Sequence, residues 1–130
     1  MTDERSLPNP TPAELDILRV FWRRGPSTVR DVYDELQANR NMGYTTVLKF
    51  LQIMTEKGLV TREEAGRAHL YRPCLSEEQV QQRMLDDVLD RAFSGAAQKL
   101  VMQALASHKA SSDELAEIRE LLDRLEENDR

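Results

Sequence analysis

Thr45, Thr46 and Lys49 carry the chemistry most easily read from this chain. On a helix they share one side, because residues three and four apart are neighbours on that surface. A threonine hydroxyl donates to a phosphate or base edge, its methyl packs on a thymine methyl, and a lysine meets guanine acceptors or a phosphate. Arg62, Arg67 and Arg72 follow within a short span, Arg67 beside a turn glycine where a cation reaches a phosphodiester freely. Arg40 and Tyr44 precede the threonines, in the turn before that helix, within range of the same backbone. Catalytic groups are sparse by comparison. His69 and His108 lie far apart, and no Gly-rich phosphate loop, nucleophile elbow or His-Glu-x-x-His stretch occurs. Asp86, Asp87 and Asp90 read as the solvated face of a helix. Cys74 is the sole cysteine, which leaves no disulfide framework and no second thiol for a metal. No metal, no cofactor and no enzymatic reaction is expected.

The elements that must position these residues are legible from spacing. Val47, Leu51 and Met54 recur at intervals of four and three, with Phe50 beside them, and predict a helix over Thr45–Lys57. Gly58 ends it, as a residue that accepts the left-handed conformation. LVTRE and AHLYR then form two short strands around EAGR, with Gly66 at the tip. In the second strand alternation puts His69, Tyr71 and Pro73 on one face, and Tyr71 is expected to pack at the hairpin base. Arg62 is open to a phosphate contact or, equally, to a pair with Glu63 or Glu64. Upstream, Thr11-Pro12-Ala13-Glu14 is a capping box opening a first helix to about Arg24, with Leu15, Leu18, Val20 and Trp22 as its apolar positions. Gly25-Pro26 breaks it. Ser27 is expected to cap a second helix, about Thr28 to Ala38, burying Val29, Val32, Tyr33 and Leu36. Residues 1–10 read as a flexible lead-in.

Beyond Pro73 the character changes. Ser76 caps a helix from about Glu77 to Phe93 with Val80, Met84, Val88 and Ala92 at intervals of four. Ser94-Gly95 interrupts it, and Ala97–Ser107 forms a shorter helix carrying Leu100, Val101, Ala104 and Leu105. Ser111-Ser112-Asp113 caps a last helix with Leu115, Ile118, Leu121, Leu122 and Leu125. Three apolar-faced helices in so short a stretch bury one another incompletely, so the surplus is expected to pair with a second copy of the chain. Val80, Met84, Val88, Leu100, Leu115, Ile118, Leu122 and Leu125 are the candidate dimer residues.

The formal net charge of −5 is distributed unevenly. Residues 1–73 hold 11 Lys/Arg against 10 Asp/Glu, while residues 74–130 hold 7 against 13. A nucleic-acid partner needs only a local cationic face, since salt screens exposed charges beyond about 10 Å. The first half offers that face and the second does not. No apolar run approaches the roughly 20 residues of a membrane helix, and the start MTDERSLPNP lacks a signal-peptide core. No membrane insertion and a cytoplasmic setting are expected.

The opening LPNPTPAELDILRVFW, the stretch GPSTVRDVYDEL, the segment GYTTVLKFLQIMTEKGLV and the YRP that closes the hairpin together resemble the penicillinase-repressor family (BlaI/MecI/CopY type), over residues 7–126. The resemblance implies a homodimeric winged-helix repressor that occupies a double-stranded DNA operator, with Thr45, Thr46 and Lys49 on the reading helix. It further implies release through a regulatory membrane metalloprotease. The matching segment runs from Leu100 to Leu105, with Gln103 and Ala104 as the candidate cleavage region, but it lacks the Asn-Phe pair associated with the cut. The Cys-x-Cys pair of copper-responsive members is absent from the RLEENDR end.

The reading is therefore mainly α: a winged helix-turn-helix DNA-binding domain over residues 1–73, then a three-helix dimerisation domain over 74–130. Arg40, Tyr44, Thr45, Thr46, Lys49, Arg62 and Arg67 are its DNA-binding candidates, on a pseudo-palindromic operator. The alternatives are a winged-helix protein–protein interaction module, and a thiol- or small-molecule-responsive regulator using Cys74 or a pocket between the modules.

Overall fold

The computed structural model describes residues 8–129. The elements run α1 (Pro12–Arg24), α2 (Val29–Leu36), α3 (Tyr44–Lys57), β1 (Val60–Ala65), β2 (Ala68–Pro73), α4 (Glu77–Phe93), α5 (Ala97–Ser107) and α6 (Ser112–Asn128). The expected lead-in over residues 1–10 lies mostly outside the described residues.

Each early helix starts where its local chemistry dictates. The Thr11 hydroxyl accepts from the Glu14 amide at 3.2 Å, and the Thr11 amide donates to Glu14 Oε1 at 2.9 Å. The same reciprocal box opens α2, but Thr28, not Ser27, is its cap, paired with Asp31. That amide bond to the Asp31 carboxylate holds its pKa below the ordinary aspartate value. Ser27 does something else. Its amide donates to the Tyr71 carbonyl at 3.1 Å and its carbonyl accepts from the Tyr71 amide at 2.9 Å. A single residue thus acts as a third strand beside β2. Ser27 is fully buried, and its hydroxyl donates to the Gly25 carbonyl.

The core of this part gathers Ile17, Leu18, Val20 and Phe21 from α1, Val29, Val32 and Leu36 from α2, and Val47, Leu51 and Met54 from α3. Leu59, Val60 and Tyr71 close it from the hairpin side. In α1 the apolar stripe is Ile17, Leu18, Val20 and Phe21; Leu15 and Trp22, expected to point inward, are only half-buried. The α3 stripe and the packing of Tyr71 follow the sequence expectation.

β1 and β2 pair antiparallel from Val60↔Pro73 to Ala65↔Ala68, so the turn is the two residues Gly66-Arg67 rather than the four of EAGR. Gly66 takes φ +69 at the first central position, the left-handed backbone that a two-residue II′ hairpin demands there.

The chain divides into two compact units, and the division falls at Asp86/Asp87 inside α4, not at Pro73. The first turns of α4 belong to the first unit because Leu75 and Val80 are buried there. Together with Leu59, Pro8 and Pro10 they line a small apolar recess. The Trp22 indole donates to the Leu75 carbonyl at 3.1 Å, and the Cys74 amide to the Leu59 carbonyl at 3.0 Å. Val80 is only 3% exposed, so as a dimer residue it is a correction: its own unit already covers it.

In the second unit α4 ends at Ser94 and Gly95, both with positive φ, and the Gly95 amide reaches back to the Leu89 carbonyl. Ser111 caps α6 through a box with Glu114, which lowers the Glu114 pKa. Neither α5 nor α6 contains a buried residue. Val101, Met102, Leu105, Leu121, Leu122 and Leu125 all stand exposed. Among the described residues no helix is long and apolar enough to cross a membrane.

Candidate nucleic-acid interface

The first turn of α3 differs from those of α1, α2 and α6. Its N-cap is Gly43, in the same extended backbone as the capping threonines and serine, but no side chain closes the first turn and no acidic residue sits in it. Helix starts without a cap leave amide donors and the positive end of the macrodipole facing outward. Thr45, Thr46 and Lys49 are exposed beside that end, with Gln52 one turn on. Tyr44 belongs to α3 itself, not to the preceding turn. It is 44% exposed and meets the Tyr33 ring edge-on at 5.8 Å, so it flanks the helix start and does not cover the core. The Arg30 guanidinium lies 5.6 Å above the Tyr33 ring. Sequence reasoning missed this Arg30–Tyr33–Tyr44 ladder, because Tyr33 read only as a core position.

The cations divide into two groups. Arg72 donates to Glu63 through Nε at 3.0 Å and Nη2 at 2.7 Å, so the carboxylate expected for Arg62 is taken. Lys57 is held by Glu14, and Arg40 by Asp16. Among the described residues, Lys49, Arg62 and Arg67 form no ion pair. Of the cations on α3 and the hairpin, these three are still available to a ligand, one on α3 and two on the hairpin, with Arg67 at its tip. Of the acids near them in sequence, Glu63 is taken by Arg72, while Glu56 and Glu64 are exposed.

Cys74 follows β2 directly and is exposed. Partial burial pushes its thiol pKa up, which keeps it protonated near neutrality and disfavours a reactive thiolate. No group of three or more metal-ligating side chains occurs among the described residues.

The other candidates divide between the two units. Met84 is half-buried in the first unit, whereas Val88, Leu122 and Leu125 are exposed and Leu100, Leu115 and Ile118 half-buried in the second. Gln103 and Ala104 lie exposed in the middle of α5.

Comparisons with known proteins converge. The sequence profile of the penicillinase repressor family matches residues 10–124. The BlaI transcriptional regulator of Mycobacterium tuberculosis is 32% identical over 115 residues, covering 87% of this chain and 82% of that protein. The penicillinase repressor of Bacillus licheniformis is 23% identical over 119 residues, covering 92% and 93% respectively. In solved structures, the monomeric form of Bacillus licheniformis BlaI in complex with the blaP half-operator superposes at TM-score 0.50 and 25% identity, over 56% of this chain and 89% of that one. The free DNA-binding domain of the repressor BlaI gives the same score. With the family profile matched over residues 10–124, the chain belongs to the penicillinase repressors, a family of winged-helix, DNA-binding transcriptional repressors.

Proposed function

We propose that this chain represses transcription as a homodimer, each copy laying α3 in a major groove of a pseudo-palindromic operator and the β1–β2 hairpin against the flanking phosphates. The observation that carries the reading is the uncapped, acid-free start of α3 with Thr45, Thr46 and Lys49 exposed beside it. Reading helices of this class present their N-terminal residues to the bases. Tyr44 flanks that start, and Arg62 and Arg67 supply phosphate contacts from the hairpin. The dimer assignment is supported by the apolar faces of α5 and α6, which a single chain leaves in water. An isologous pairing of those faces fits the commonest symmetry of soluble assemblies. Two copies would then address half-sites one helical turn, about 10 base pairs, or a multiple of it apart.

Release from the operator is proposed to follow cutting near Gln103–Ala104 by a membrane metalloprotease. Both residues are exposed, but the α5 backbone must open locally before a protease reaches the bond. Fragment masses after co-expression with such a protease, with and without inducer, test this step.

The central test is selection of bound fragments from genomic DNA, followed by anisotropy titrations over a salt series and light scattering of the free chain. A dimer that enriches dyad sequences, with affinity falling by a log–log slope of about 0.9 per phosphate contact, is the expected result. A monomer that retains no duplex at low salt overturns the reading.

A further inference from the structure

Lys57 in the last turn of α3, and Arg40 in the loop that leads into α3, are each held by a carboxylate from the first two turns of α1. At the far end, Lys57 Nζ donates to Glu14 Oε1 at 3.0 Å and to Oε2 at 2.9 Å. Glu14 is 1% exposed and also accepts from the Thr11 amide. At the near end, Arg40 Nε donates to Asp16 Oδ2 at 2.8 Å, three residues before Gly43. The other Asp16 oxygen accepts from Arg19 at 2.8 Å. Between these ties Gln37 Nε2 donates to the Met42 carbonyl at 2.9 Å and to the Tyr33 carbonyl at 3.1 Å, closing the loop that leads into α3. The last turn of α3 and the loop before its first turn are thus each fixed to α1.

Neither tie is strong evidence for stability: Glu14 loses much of its attraction for Lys57 to desolvation, and the Asp16–Arg40 pair is partly exposed to solvent. What the Glu14–Lys57 pair supplies is a fixed partner: Glu14 is buried and its carboxylate also accepts from the Thr11 amide, so α3 is referred to the start of α1. Base readout is sensitive to a shift of α3, while a phosphate contact through a long cationic side chain is not. Resting on the DNA-reading role, we propose that Glu14 and Asp16 are positioning residues that set the seat of α3 in the groove. Lys57 and Arg40 act with them as the other halves of the two ties. Arg40, which sequence position alone puts among the phosphate contacts, works through Asp16 instead.

Two double-mutant cycles test the proposal on the full chain. One uses Asp16→Asn, Arg40→Gln and the pair; the other uses Glu14→Gln, Lys57→Met and the pair. Glu14→Gln keeps an acceptor for the Thr11 amide, so the start of α1 survives. Binding is measured well below each variant's melting midpoint, against a fragment enriched from genomic DNA and a scrambled duplex of equal length. Each single substitution is expected to lower affinity for the enriched fragment about tenfold, with the double variant no weaker than the weaker single, as coupled partners behave. Affinity for the scrambled duplex and the salt slope should stay unchanged. Additive losses in a wild type that discriminates overturn the positioning role alone. So does an Arg40→Gln chain that weakens both duplexes alike and lowers the slope by about 0.9 per protomer, the mark of a lost phosphate contact. A wild-type chain that treats both duplexes equally overturns the DNA-reading role and the positioning role together.

Discussion

Gly43→Asp should strengthen the fold and weaken the complex, two effects of opposite sign from one side chain. Gly43 has φ −70 and ψ 159, close to the φ −70 and ψ 166 of Thr11, which caps α1. A Cβ built there meets nothing within 4 Å, so an aspartate enters without strain. Its carboxylate would accept an early α3 amide, as Thr11 and Thr28 do in their helices. Replacing glycine by a good cap contributes a few tenths of a kcal/mol, and an anion at a helix start adds about 0.3–1 kcal/mol. For a domain of this size that raises the melting midpoint by a few degrees.

The same carboxylate sits where a DNA phosphate is expected. Two like charges about 5 Å apart repel by about 3 kcal/mol at an effective dielectric of about 20, and by under about 1 kcal/mol in bulk water. Operator affinity should therefore fall by about 1–3 kcal/mol per half-site, roughly 5- to 150-fold. Gly43→Ser is the control: it caps without charge, and its affinity should stay close to that of the wild type. Circular dichroism melts and anisotropy titrations read the two effects separately. An aspartate variant that is more stable yet binds the operator as tightly as the parent would refute the placement of phosphate at the α3 start.

Lys49→Ala should cost about 1–3 kcal/mol against the operator alone if Lys49 meets a base, whereas equal losses on scrambled DNA in the same titration would mark a phosphate contact. Leu122→Glu with Leu125→Glu places charges on the exposed α6 stripe, and light scattering should then report a monomer whose first unit melts unchanged; a surviving dimer would move the interface elsewhere. Asp31 has its carboxyl pKa lowered in the folded chain, so the unfolded chain takes up the proton first as pH falls. Its contribution to stability is complete above the ordinary aspartate range and lost as pH drops through the lowered folded value. Asp31→Asn should therefore flatten the acid limb of a melting-point-against-pH curve and leave its neutral region parallel to the parent's.

Much of the first unit could be read along the chain because its determinants are local. A threonine three residues before a carboxylate, an apolar stripe at intervals of three and four, and a glycine at each break act within one or two turns. Those signals located α1, α3, the hairpin and the caps at Ser76 and Ser111. They misplaced the α2 cap by one residue: Thr28 has Asp31 three residues on where Ser27 has Arg30, and the Ser27 backbone is taken up by the Tyr71 bridge. They also assigned Val80 to a second chain, because periodicity reports that a face is apolar but not what covers it.

The pattern of residues by itself determined that α3 is an amphipathic helix with a hydroxyl- and amine-bearing outer side, followed by a cationic hairpin. Which of the nearby cations remain available was decided only in three dimensions. Glu14 meets Lys57, Asp16 meets Arg40 and Glu63 meets Arg72, leaving Lys49, Arg62 and Arg67 free of ion pairs among the described residues. The first two of those pairings join residues 43 and 24 positions apart. Periodicity encodes the face on which a side chain lies, but a charge pair across the fold depends on how helices cross, and that crossing is set by the packing of the whole core.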